Sequence, residues 1–153
     1  MHVATGAAGG VLAGSATRAA AVGALLHFLG DRVPHEDIAS RRFEVVCGVG
    51  GLLTLAVARG PLHPATVGAA ASTVPDVEHV VRLPRPAGRK LFPSHRIPGW
   101  HRPGNLTANM QLLLAGALFG AVVAHGLASR LGNAQASPSP VDANPWSSPS
   151  GVE

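Results

Sequence analysis

The sequence predicts an all-α protein, a small multi-helix transmembrane bundle followed by a disordered C-terminal tail. The composition is 46% hydrophobic and only 13% charged over 153 residues, a low charged fraction for a soluble domain of this size. Large aromatic residues are scarce, with four Phe, two Trp and no Tyr, and small residues let helices approach closely in lipid. We therefore predict a helical membrane domain over residues 1–131 and a tail over residues 132–153.

The first apolar segment covers residues 3–30 and predicts two half-length helices rather than one span. Arg18 interrupts the apolar run, and Gly14, Ser15 and Thr17 lie beside it. Glycine and hydroxyl residues next to a charge favour a turn, and a broken helix at membrane depth is tolerated inside a bundle. We expect the chain to double back near Arg18.

The next two apolar stretches, residues 44–59 and 65–81, predict a helical hairpin. Gly60-Pro61-Leu62-His63-Pro64 separates them, and two prolines stop a helix and force a turn. Each arm is short for a full span, so the hairpin crosses a thinned bilayer or packs inside the bundle. The single Cys47 lies in the first arm; it excludes an intrachain disulfide, and we expect a buried thiol.

The clearest membrane span is residues 106–128, which contain no Asp, Glu, Lys or Arg. A helix needs roughly 20 apolar residues to cross a bilayer core, and Arg130 follows where its side chain can reach the interface. Beyond residue 133 the chain is rich in Ser and Pro and has too little apolar content to fold.

The positive charges predict the orientation of the bundle. They lie in short loops rather than on one amphipathic face, so we expect contact with membrane lipids and no nucleic-acid partner. The helix order brings His2 and the two loops 31–43 and 82–104 to one side, with His63 opposite. That side carries Arg32, Arg41, Arg42, Arg82, Arg85, Arg89, Lys90, Arg96 and Arg102, against Arg18, Arg59 and Arg130 elsewhere. By the positive-inside rule it faces the cytoplasm of a multi-pass inner-membrane protein.

Most of the histidines and acidic residues gather at the same side. His27 and Asp31 are four residues apart, so their side chains project from one helical face. Pro34-His35-Glu36-Asp37 follows directly, and Asp76, Glu78 and His79 form a second group. Ser94-His95-Arg96 and Trp100-His101-Arg102 form a third.

Imidazole nitrogens and carboxylate oxygens without thiolates suit zinc, manganese or ferrous iron. Ionisable groups near hydrocarbon are costly unless they are paired or metal-bound, so we predict one metal centre, most simply zinc, at this membrane surface. The predicted ligands are His27, Asp31, His35, Asp76, His79, His95 and His101, of which His27 and His101 either bind the metal or orient other ligands. Glu36, Asp37 or Glu78 is the predicted general base, and Arg96 and Arg102 are predicted to bind a substrate phosphate.

Two other interpretations fit the same residues. In the first, the protein is a non-catalytic helical membrane protein whose His and Asp residues hold a structural metal or pair with the Arg-rich loops. In the second, His27 and His125 are axial ligands of a haem within the bundle.

The motifs together resemble the bacterial and archaeal inner-membrane metal-dependent hydrolases associated with LexA regulation. The similar features are His2, the segment from Leu26 to Asp37, Pro75-Asp76-Val77-Glu78-His79 and Ser94-His95-Arg96, and they cover about residues 2–102. The resemblance implies a His/Asp metal centre at Asp31, His35, Asp37, Asp76 and His79, with distant similarity to zinc phospholipase C and the single-strand nucleases. The implied activity is hydrolysis of a phosphoester, such as a lipid headgroup, by a metal-activated water. Glu78 departs from the family, which often has Asp there, and the final His segment is basic and rich in Pro.

Overall fold

The computed structural model describes residues 1–136, and this part of the chain is helical with no strand. The helices are α1 His2–Ala13, α2 Ala16–Gly30, α3 Arg41–Arg59, α4 Pro64–Thr73, α5 Val77–Val80, α6 Pro93–Arg96 and α7 Ala108–Ala136, with a 3₁₀ turn at Pro86–Gly88. The all-α class is confirmed. The predicted tail from residue 132 overlaps the end of α7, and residues 137–153 lie outside the described part.

The predicted break near Arg18 is confirmed as a tight turn between α1 and α2. Gly14 ends α1 in the left-handed conformation at φ 73°, and its N–H donates to the carbonyl of Val11. Ser15 then caps α2, because its hydroxyl accepts the backbone N–H of Arg18. Glycine at the end of one helix and serine at the start of the next are favoured at these positions, so α1 and α2 form an antiparallel pair.

The short helix α4 lies at the centre of the bundle and packs against both α1 and α2. Its contact face is made of small residues, and backbones touch there without intervening side chains. A Cβ on Gly68 would lie 2.9 Å from the Cα of Gly10, and a Cβ on Gly6 would lie 2.5 Å from the carbonyl oxygen of Gly68. Such spacing of small residues is the means by which helices pack closely in membranes.

We expect the substitution Gly68→Ala to destabilise the bundle. The added methyl group has no room between the backbones of α1 and α4, and overpacking of this kind typically costs about 1–3 kcal/mol. Gly48→Ala is the matched control, since nothing lies within 4 Å of a Cβ at that position on α3. Thermal unfolding in detergent should show a lowered midpoint for Gly68→Ala alone. Equal midpoints for both variants would contradict the close packing.

The aliphatic core lies where α3 and α7 join this central group. Leu55 of α3 and Val122 of α7 pack with Ala7, Ala65 and Ala69. Elsewhere α3 is largely exposed, because it contacts the bundle along only part of its length. The prediction of a buried thiol at Cys47 is therefore wrong, since the residue is exposed on the outer face of α3.

One helix of the described chain is long and apolar enough to cross a membrane. It is the Ala108–Gly132 part of α7. Only 11% of the most apolar stretch of this helix is buried inside the protein. Large apolar side chains project outward along it, including Leu113, Leu114 and Leu127. The predicted span at residues 106–128 falls on this helix.

The second arm of the predicted hairpin is not one helix. The turn at residues 60–64 is present, but α4 ends at Thr73 and a separate turn of helix, α5, begins at Val77. Pro75 explains the break, because it has no N–H to donate to a carbonyl of the preceding turn; Val74 before it still has helical dihedral angles and caps α4. The bend carries Asp76 to the end of the bundle where α2 terminates, and this places the candidate site.

Candidate metal centre

Seven side chains meet at the end of the bundle and are called here the central cluster. They come from five places in the chain: the start of α1, the end of α2, the turn before α5, α5 itself and α6. The members are His2, His27, Asp31, Asp76, Glu78, His79 and His95. Segments that are distant in sequence thus supply one group of imidazoles and carboxylates.

Asp31 lies at the middle of the central cluster and is buried. Its Oδ1 is 3.3 Å from Nε2 of His2, and its Oδ2 is 3.2 Å from Nε2 of His27 and 3.6 Å from Nε2 of His95. Burial alone would raise its pKa, but the close imidazoles of His2 and His27 outweigh burial and lower the pKa well below the usual range. Asp31 is therefore a carboxylate at neutral pH.

The ring orientation of His27 leaves a lone pair facing that carboxylate. Nδ1 lies 2.9 Å from the carbonyl oxygen of Ser72, and a carbonyl only accepts hydrogen bonds, so Nδ1 carries the proton. In the neutral ring Nε2 is then unprotonated and points at Oδ2 of Asp31. Within the described residues, both buried atoms lack a hydrogen-bond partner. Two electron-rich atoms at 3.2 Å require a cation between them, either a proton or a metal ion.

His95 is held in the same way by Glu78. Its Nδ1 donates to Oε1 of Glu78 at 2.5 Å, while the other oxygen of Glu78 accepts the N–H of Leu91 at 2.9 Å. Burial raises the pKa of Glu78, but these two hydrogen bonds outweigh it and lower the pKa overall. A carboxylate behind a histidine is the usual support of a metal-binding imidazole. Nε2 of His95 then faces Asp31 and Nε2 of His79.

The solvent side of the central cluster is formed by Asp76 and His79. Nε2 of His95 is 3.8 Å from Oδ1 of Asp76 and 3.4 Å from Nε2 of His79. Burial, together with the neighbouring His95 and Lys90, lowers the pKa of His79, which favours a neutral imidazole. Several overlapping triads of this cluster could hold a metal ion, among them His27, Asp31 and His95.

We expect Glu78→Gln to weaken metal binding without removing the ligands. The amide cannot supply the negative charge behind His95, and loss of such a supporting carboxylate typically costs about 10- to 100-fold in metal affinity. Glu36→Gln is the matched control, because Glu36 also accepts a backbone N–H, that of Ala108, but contacts no imidazole of the central cluster. Metal affinity measured by competition with a chelator should fall for Glu78→Gln and stay at the wild-type value for Glu36→Gln.

The remaining predicted ligands form a second group, called here the outer cluster. Its members are His35, Asp37 and His101, with Nε2 of His101 3.0 Å from Nε2 of His35 and 3.5 Å from Oδ1 of Asp37. Within residues 1–136, no triad of close donor atoms mixes members of the two clusters. The structure therefore brings the predicted ligands together in two groups, not in one centre.

The predicted bases and phosphate-binding residues lie around these groups in different settings. Glu36 accepts the N–H of Ala108 at the start of α7, and the two oxygens of Glu78 accept from Nδ1 of His95 and from the N–H of Leu91. Asp37 is 83% exposed in the outer cluster. Arg96 and Arg102 are exposed, Arg96 next to His95 in α6 and Arg102 next to His101. Their binding of a phosphate stays a prediction.

Two members of the site were not assigned from the sequence. His2 belongs to the central cluster; the sequence placed it on the same side of the bundle and among the motifs of the resemblance, but not among the predicted ligands. The carbonyl of Ser72 orients His27, and no sequence signal identifies a backbone carbonyl as such a partner.

The haem interpretation does not fit the fold. His125 is exposed on α7, next to Gly126, which packs against Arg59 at the end of α3. The start of α7, where Glu36 binds, lies 17 positions earlier, or roughly 25 Å along the helix axis. His27 lies with Asp31 at the end of the bundle where α7 starts, and His125 lies far along α7 from that end. The two imidazoles therefore cannot ligate one iron.

A cavity of about 290 Å³ opens beside the two clusters. His2 of the central cluster lines it on one side, and His35 and Asp37 of the outer cluster line it on the other. The walls between them are mainly apolar, with Leu26 and Leu106 among them. The cavity therefore joins metal-type ligands to an apolar surface.

Comparison of the chain with protein-family models, with curated proteins and with solved structures found no match.

Proposed function

We propose that the protein is a membrane-embedded, metal-dependent hydrolase of phosphoesters, with lipid headgroup esters as the natural class of substrate. One observation carries the proposal. The imidazoles of His27 and His95 each have Nδ1 bound to an acceptor, and both turn Nε2 toward the same buried carboxylate oxygen of Asp31.

Protons are a poor substitute for a metal ion at this point. Satisfying both nitrogens with protons would bury two imidazolium charges among the carboxylates of Asp31 and Glu78, and removing charges from water is costly even when they are paired. One divalent cation among Nε2 of His27, Nε2 of His95 and Asp31 satisfies all three atoms together. Nitrogen and oxygen donors without a thiolate favour zinc, and manganese or ferrous iron suit the same set.

The residues divide into ligands and supporting groups. His27, Asp31, Asp76, His79 and His95 would hold the metal, His2 supports Asp31, and Glu78 positions His95. A bound divalent metal supplies an ionised water and neutralises charge on a phosphate oxygen. Asp76 has a 42% exposed side chain and lies 3.8 Å from His95, so water can reach the metal position on this side of the cluster. A structural site would instead be closed to water.

The membrane setting is part of the proposal. Exposed Leu and Val side chains recur along α3 and α7, and contiguous exposed apolar surface is typical of membrane or protein contact sites. The excess of Arg and Lys at the end that holds the clusters favours a cytoplasmic orientation in an inner membrane. The resemblance to inner-membrane metal-dependent hydrolases agrees with both. The cavity beside His2 then lies at lipid headgroup level.

The test is hydrolysis of phosphoesters by detergent-purified, zinc-loaded protein. A soluble phosphate monoester, a soluble diester and a phospholipid in mixed micelles should be offered in parallel. We expect hydrolysis of at least one class, loss of activity with a chelator and recovery with added metal. Tight metal binding with no hydrolysis of any of the three would reject the enzyme and leave a structural metal site.

A further inference from the structure

We propose that the outer cluster of His35, Asp37 and His101 binds a second divalent metal ion, independently of the central cluster. The site goes beyond the hydrolase centre and does not rest on it. It offers two imidazole nitrogens and one carboxylate oxygen within a few ångströms, the donor set of open zinc sites with three protein ligands.

The ring of His35 is set for metal binding by its own backbone neighbour. Its Nδ1 lies 2.6 Å from the carbonyl oxygen of Val33 and therefore carries the proton, which leaves Nε2 with a lone pair. That lone pair faces Nε2 of His101 at 3.0 Å. Asp37 adds negative charge at 3.5 Å from the same nitrogen of His101. Two ring nitrogens and one carboxylate oxygen thus surround one position, where a metal ion would replace the proton shared by the two imidazoles.

The two histidines are held in place by backbone contacts between their loops. The N–H of His35 donates to the carbonyl of Arg102 at 3.2 Å, and the N–H of Glu36 donates to the carbonyl of Leu106 at 3.0 Å. These contacts fix the loop that precedes α3 against the loop that precedes α7.

Trp100 anchors the loop that precedes α7 to helix α2. Its Nε1 donates to the carbonyl of Phe28 at 2.8 Å, and the two rings stack at 4.2 Å between centroids. His101 follows directly after this anchor. Ligands that are ordered before the ion arrives lose little entropy on binding it.

Exposure distinguishes the outer cluster from the buried centre. The side chains of His101 and Asp37 are 43% and 83% exposed, so a bound ion would keep positions open to water or to an anionic oxygen ligand. Both His35 and Asp37 line the cavity that His2 lines from the other side. We therefore expect a weaker, exchangeable ion at the rim of the cavity.

The experiment is a cobalt titration of full-length protein in detergent after its tight site has been filled with zinc and free zinc removed. Visible absorption of Co²⁺ reports ligation by protein nitrogen. We expect about one further equivalent, lost in His35→Ala and in His101→Ala. Asp37→Asn should weaken the binding without abolishing it. His125→Ala is the matched control and should bind as wild type, since that exposed imidazole belongs to neither cluster.

The outcomes separate this site from the hydrolase centre. Wild-type protein that binds no more Co²⁺ than His101→Ala would overturn the proposal, provided circular dichroism shows the same helix content. A Co²⁺ signal that depends on His35 and His101, in protein that neither retains zinc nor hydrolyses phosphoesters, would establish the outer site and reject the proposed function. Retained zinc and activity in His101→Ala, with the Co²⁺ signal lost, would support both.

Discussion

Replacing Asp31 with Asn is expected to lower the rate of phosphoester hydrolysis by more than about 100-fold. This exceeds the loss typical of removing a residue that only supports a metal ligand. The carboxylate faces His2, His27 and His95 at 3.2 to 3.6 Å, and Asn keeps the shape while removing the charge. The amide nitrogen would also turn a donor toward atoms that need a cation. Initial rates on the best of the tested phosphoesters measure the effect.

The control for Asp31→Asn is the exposed variant His125→Gln on α7, which should keep wild-type rates. Circular dichroism of both variants verifies that the bundle remains folded. Asp31→Asn with wild-type activity and a wild-type fold would show that the central cluster does not carry the reaction.

Lowering the pH from about 7 to about 5 is expected to release the metal from the central cluster. Metal binding requires neutral imidazoles, whose ordinary pKa is about 6.5; burial lowers the pKa of His79, whereas at His27 the contact with Asp31 outweighs burial and raises the pKa. The pKa values of Asp31 and Glu78 are lowered, so both stay ionised over this range and take up no protons. Affinity is therefore full above the imidazole pKa and falls as the pH passes down through it. We expect the imidazoles to take up about two to three protons for each metal ion that leaves.

Isothermal titration at a series of pH values measures this dependence. Glu78→Gln should weaken binding at every pH but leave the proton count close to that of the wild type. An affinity that stays constant down to about pH 4, where carboxylates titrate, would contradict histidine ligation.

Much of the fold could be predicted from short stretches of sequence, because tertiary contacts did not change the helix ends and turns that those stretches favour. Gly14 and Ser15 end one helix and start another for reasons of backbone geometry and capping, and the prolines after Gly60 stop a helix wherever they occur. The uncharged run that became α7 is also a local property. Pro75 carried the same kind of information, but an apolar pattern continuing to Val81 concealed the break between α4 and α5.

The candidate site was predictable in its residue types and in its location at one end of the bundle. Its division into two clusters was not, because His35 and His101 are positioned by backbone pairing between two loops without regular structure. Helical spacing identified His27 with Asp31 for a simple geometric reason. The support of His95 by Glu78 depends on how α5 and α6 pack, which spacing along one helix cannot reveal.

Metal content of detergent-purified protein, measured by elemental analysis, tests the central claim most directly. Wild type should retain about one tightly bound equivalent of zinc, manganese or iron after dialysis. The double variant His27→Ala/His95→Ala should retain none, while His125→Ala keeps the wild-type content. Wild-type protein without metal, or a double variant with unchanged metal content, would contradict a metal centre built on His27, Asp31 and His95.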